Sequence, residues 1–194
     1  LGGYEMTDGK IDGLYLLDAE TLNIEFLDIS KEASAPIWSS DGNKIYYLYW
    51  KKIGSSVDAN IWEYNLTSKS NTKLANVPSD VYSVLIVSPQ GDKIIFPTLQ
   101  DSLIYKLWLL DLNTKQTTKI FGDFSSIDLL WSPDGKKIFT GKETVNLNTN
   151  EIKVWSSTGV YFVGGYTEVY FDGEHATWSS DSTKIYSNEG ILGD

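Results

Sequence analysis

Leu130-Trp131-Ser132-Pro133-Asp134-Gly135-Lys136-Lys137-Ile138-Phe139 is one of four versions of a single phrase. The others begin Ile37-Trp38-Ser39-Ser40-Asp41-Gly42, Ile86-Val87-Ser88-Pro89-Gln90-Gly91 and Thr177-Trp178-Ser179-Ser180-Asp181-Ser182, and each continues to a Lys-Ile pair at Lys44, Lys93 and Lys184. A phrase that returns at a fixed interval outranks local signals, because each copy is one supersecondary unit that buries its apolar face only against its neighbours. The Trp position recurs after 49, 44 and 47 residues, at Trp38, Val87, Trp131 and Trp178. That interval belongs to a four-stranded blade of a β-propeller, not to a helical repeat.

Within each phrase, apolar residues recur with period two and Gly, Pro, Asn, Asp and Ser punctuate the ends, which predicts short antiparallel strands joined by tight turns. The Trp of each phrase is expected to wedge between neighbouring sheets. A second hairpin follows: Ile61 to Leu74, Leu107 to Ile120, and a weaker version from Val145 to Trp155. The same form precedes the first phrase, with Leu14 to Asp18 and Ile24 to Leu27. The chain therefore opens on an outer hairpin without an inner one and closes on an inner hairpin without an outer one. This predicts one all-β domain over residues 1–194, with an outer hairpin at 14–27, repeats starting near 35, 84, 128 and 175, and an extra hairpin at 156–172. Either four blades close by pairing the two terminal half-blades, or the run belongs to a larger ring.

These phrases resemble the WD40-like repeats of TolB-type β-propellers, whose signature runs approximately W-S-P-D-G-K-K-I-x-F. Trp131 to Phe139 matches it closely, whereas Ser182 stands where the turn glycine is expected. The resemblance spans about residues 13–188 and implies the propeller fold. As to role it implies partner-binding modules, extracytoplasmic in the periplasm, at the cell surface or secreted, or alternatively the lid domain of prolyl-oligopeptidase-type peptidases.

Composition narrows the chemistry. Cysteine is absent and all 16 basic residues are lysine, so thiolate chemistry, thiolate metal sites and guanidinium forks are excluded. A net charge of −10 opposes contact with nucleic acid or an anionic membrane surface. No apolar run approaches the ~20 residues of a membrane helix. His175 is the single histidine, which removes any His-pair metal site, and its position just before the Trp178 strand suits a rim residue better than a general base. Neither G-x-S-x-G, H-E-x-x-H nor a Walker loop occurs. Asp8 to Gly13 lacks the ladder of an EF-hand, and Asn65-Leu66-Thr67, formally a glycosylation sequon, matches the strand-end pattern of the other repeats. Two carboxylates suffice for glycoside hydrolysis, so a glycosidase stays open as a minor alternative.

The expected function is non-catalytic binding or scaffolding of a protein or glycan partner, with no cofactor, through the rim where connections gather. Two stretches exceed their counterparts. Trp50 to Asn60 offers Trp50, Lys51, Lys52 and Asp58 on a loop, or Trp50 merely extends the strand through Tyr49. Between Trp155 and His175 lie Tyr161 and Tyr166 on either side of Gly164-Gly165. With His175, these are the candidate ligand contacts.

Overall fold

The structure, a computed structural model, describes residues 13–27, 29, 32–101, 104–120, 122–124, 128–154, 176–187 and 190–192. The hairpin expected at 156–172 and the Asp8–Gly13 stretch up to Asp12 lie outside them. Every described element is a strand or turn. The first hairpin pairs β1 (Tyr15–Leu17) with β2 (Ile24–Phe26) as a two-stranded sheet. Three four-stranded antiparallel blades follow. The first is β3 (Ala33–Trp38), β4 (Lys44–Ile53), β5 (Ser56–Asn65) and β6 (Ser70–Asn76); the second is β7 (Ile86–Val87), β8 (Lys93–Asp101), β9 (Ile104–Asp111) and β10 (Thr117–Lys119). The third is β11 (Leu130–Trp131), β12 (Lys137–Phe139), β13 (Glu143–Asn146) and β14 (Ile152–Val154). A last sheet orders β15 (Thr177–Trp178), β16 (Ile185–Ser187) and β17 (Gly190–Leu192).

Sheets stacked side by side must be apolar on both faces, and the central strands are. Ile45, Tyr46, Tyr47 and Leu48 are all buried, with Tyr46 and Leu48 turned to the second blade and Ile45 and Tyr47 turned to the β1–β2 hairpin. Ile94 and Phe96 face the first blade while Ile95 faces the third, where Ile138 and Val145 meet it. The strict apolar–polar alternation expected of these strands therefore gives way to continuous apolar runs, because neither face meets water.

The repeated turn is a latch. In each phrase the Ser hydroxyl receives the Lys backbone N–H and donates to the turn carboxylate: Ser39 to Asp41 at 2.6 Å, Ser88 to Asp92 at 2.8 Å, Ser132 to Asp134 at 2.6 Å and Ser179 to Asp181 at 2.6 Å. The Ser39 hydroxyl, with the Asn43 N–H, holds the Asp41 carboxyl down from 3.8 to about 2, and the Ser179 and Thr183 hydroxyls do the same for Asp181. Ser182 takes the left-handed conformation of the missing glycine, at φ 62°, and its Oγ receives the Asp134 N–H at 3.0 Å. The outer hairpins share a different turn, in which Asp18, Asn65, Asp111 and Asn146 each accept two following backbone N–H groups. Asn65 of the sequon is thus one of a structural series.

One expectation needs correction. The Trp131 and Trp178 indoles are half-buried and donate to the preceding blade, at Ile86 O (3.4 Å) and Leu130 O (3.3 Å), but Trp38 is 48% exposed. No inner hairpin stands before β3 among the described residues, so its indole has no sheet to wedge against. Among the described residues β16 pairs with β17 on its far side from β15, and the β1–β2 hairpin packs on the first blade through Leu14, Leu27 and Ile29.

Phe139→Ala, at a fully buried ring, is expected to cost ~3–5 kcal/mol in urea unfolding. Trp38→Ala should stay within ~1 kcal/mol. Because folding favours the ionised form of Asp41 and Asp181, their contribution is complete above about pH 4 and fades as pH falls toward 2. The urea midpoint should drop across that window, and Asp41→Asn with Asp181→Asn should flatten the drop.

Candidate functional site

Trp50 continues β4, and β4 pairs with β5 out to Ile53 and Ser56, so the expected loop is a protruding hairpin closed by Gly54-Ser55, with Gly54 at φ 61°. The second blade protrudes likewise, its β8–β9 register running from Lys93↔Asp111 to Asp101↔Ile104. In the third blade the corresponding strands stop at Phe139 and Glu143. Two long hairpins therefore rise side by side at the rim opposite the latch turns.

At their base lies a cavity of about 350 Å³, bounded by Ser34, Leu48 and Trp50 of the first blade, Leu99 of the second, and the connecting stretch 79–83. That stretch is tied to β8 by Tyr82 N–H to Pro97 O (2.9 Å) and Leu99 N–H to Asp80 O (3.0 Å). The Trp50 indole reaches Ser79 O at 3.5 Å, at the outer limit of a hydrogen bond. Trp50 and Tyr82 remain 43% and 41% exposed, and Tyr82 meets Tyr105 edge to face at 5.8 Å between ring centres. Asp80 is the one charged residue among the described residues that line the cavity.

Strand parity divides the residues picked from sequence. Trp50 and Lys52 share the face of Leu48; Lys51 and Asp58 lie opposite each other on the other face. Lys51 Nζ stands 3.9 Å from Glu32 Oε1, and Asp58 accepts from Asn60 Nδ2 at 2.8 Å. Only Trp50 of the four lines the cavity. Tyr161, Tyr166 and His175 lie outside the described residues. Sequence reading passed over Asp80 and Tyr82, although Pro78-Ser79-Asp80 followed by Val81-Tyr82-Ser83-Val84 carries a turn and then an alternation. Among the described residues, no group of three His, Asp or Glu stands close enough to hold a metal.

Paired sheets, latch turns and indole contacts between sheets define a run of β-propeller blades of the WD40-like, TolB-like kind. The family described as Eukaryotic translation initiation factor eIF2A matches residues 7–169, and the chain belongs to that family. Among solved structures, TolB from Acinetobacter baumannii is similar over 88% of this chain and 41% of its own, at 19% identity and a TM-score of 0.58. Hydrazine synthase of Kuenenia stuttgartiensis is similar over 90% and 55%, at 12% identity and a TM-score of 0.60. The β-propeller domain of the Trilobed protease from Pyrococcus furiosus, described as having an open velcro topology, is similar over 79% and 47%, at 17% identity and a TM-score of 0.51. These likenesses show the fold, and the chain spans about half the length of the structures it matches. Comparison with curated proteins returns no match.

Since both side chains keep about two-fifths of their surface exposed, Trp50→Ala and Tyr82→Ala are each expected to lower stability by only ~1 kcal/mol. Urea titration of the two variants checks this.

Proposed function

We propose that the chain is a non-catalytic binding module that engages a protein or glycan partner at the rim cavity between the first two blades. The observation that carries it is the pair of half-exposed rings, Trp50 and Tyr82, at one preformed cavity beside a carboxylate. Rigid aromatic groups supply contact area at low entropic cost, and a cavity of this size accepts one sugar ring or one long side chain. Among the described residues that line the cavity Asp80 is the one carboxylate, whereas glycoside hydrolysis uses two. The proposal puts the module outside the cytoplasm, a reading supported by the likeness to TolB. The family's description names a translation initiation factor; a charge of −10 and the absence of arginine give contact with RNA phosphates no support.

A second reading is the propeller domain of a larger enzyme, supported by the likeness to the Trilobed protease propeller. An α/β-hydrolase domain in the same reading frame would favour it.

Glycan arrays and affinity capture with purified candidate partners test the first reading. Trp50→Ala and Tyr82→Ala should each weaken a captured ligand at least tenfold, while Lys51→Ala, on the opposite face, leaves it unchanged. Equal binding by all variants would move the site elsewhere.

A further inference from the structure

On the reading of the rim cavity as a binding site, we further propose that it receives a lysine or arginine side chain of a protein partner, the aliphatic stem beside Trp50 and Tyr82 and the cationic head at the Asp80 carboxylate.

Asp80 is an unmatched charge. It is exposed and lines the cavity, and it is tied down through its backbone, whose carbonyl accepts the Leu99 N–H at 3.0 Å. Among the described residues no cation pairs with its carboxylate. Lys51 is turned to the opposite face of β4, where it stands 3.9 Å from Glu32. Lys52 lies beyond Trp50 toward the hairpin tip and is not part of the cavity lining. With a net charge of −10, the chain as a whole also draws in a basic partner rather than an acidic one.

The walls suit the rest of such a side chain. Leu48, Val81 and Leu99 give the lining an apolar part, against which the methylene groups of lysine or arginine shed water. The half-exposed Trp50 and Tyr82 rings attract a cation that comes within ~6 Å of a ring centre. Ser34, Ser79 and Ser83 add oxygen acceptors for the N–H groups that one carboxylate leaves over. An ion pair open to water contributes little by itself, so the rings supply most of the affinity and Asp80 the preference for positive charge.

The hairpin tips favour a protein over a glycan. Ile53, beside the turn of the first long hairpin, is 58% exposed, and Ile104, beside the turn of the second, is 37% exposed. An aliphatic tip offers a sugar neither a stacking plane nor a hydrogen bond, whereas a protein interface buries such groups around its central pocket. Two apolar tips above one acidic, ring-lined cavity match a basic residue set among apolar neighbours.

Phage-displayed peptides selected on the unaltered chain test this. Enriched peptides should share one lysine or arginine with apolar neighbours, and a synthetic copy should bind at least tenfold more weakly when acetyl-lysine or norleucine replaces that residue. Asp80→Asn, which keeps the shape of the side chain, should cost a similar factor and make the remaining affinity less sensitive to salt, while Lys51→Ala leaves binding unchanged. Peptides, or glycans on an array, that lose binding with Trp50→Ala yet keep it with Asp80→Asn would overturn the cationic ligand and leave the binding module standing. Binding that survives both Trp50→Ala and Tyr82→Ala, or a selection and an array that both stay blank, would overturn the two together.

Discussion

Everything in this fold depends on the seam between adjacent sheets. A blade with apolar side chains on both faces is insoluble alone, and Ile45 to Leu48 show why: four consecutive buried residues leave no face for water. Burying one such side chain contributes ~1.5–3 kcal/mol, against ~1 kcal/mol for a net hydrogen bond. Apolar packing therefore supplies the stability of the seam. The long indole–carbonyl contacts at 3.3–3.4 Å contribute less energy and more registration, since each fixes how far one inner strand slides along the next.

Registration also comes from the turns. A Ser hydroxyl that receives one N–H and donates to one carboxylate closes the turn on itself, and those donors hold the exposed Asp41 and Asp181 carboxyls down to about 2. Closed turns can then stack. A Cβ on Gly135 would meet only the end of the flexible Gln90 side chain, which moves aside at little cost, so the requirement for glycine there is the conformational one, at φ 67°. At Ser182 the same stacking is achieved differently. Its side chain accepts the Asp134 N–H and its carbonyl receives Lys137 Nζ at 2.9 Å, two bonds that offset the cost of a left-handed serine.

Much of this was legible in the sequence because a repeat states its own neighbours. The Trp131 phrase, the outer hairpin at 14–27 and the Asn65 turn all follow from alignment of the chain with itself. Trp38 was not legible, since burial of that indole depends on which sheet precedes it, and an identical phrase says nothing of its neighbour. Lys51 and Lys52 fell together as adjacent letters but divide across the sheet, because successive strand residues point to opposite faces. Asp80 and Tyr82 were missed for a third reason: they sit on a connection whose position is fixed by hydrogen bonds to β8, far along the chain from β4.

The rim cavity is a consequence of the seam rather than a separate feature. Trp50 belongs to one blade, Tyr82 to the link that enters the next, and the spacing between them is the spacing between sheets. Lengthening β4–β5 and β8–β9 past the point where their counterparts in the third blade stop extends the two facing walls without altering the packed region beneath. The core residues Leu48, Ile61 and Phe96 already hold those walls apart. Substitutions at such a rim leave the register of the blades intact, and the same fold recurs in proteins as different as TolB and hydrazine synthase.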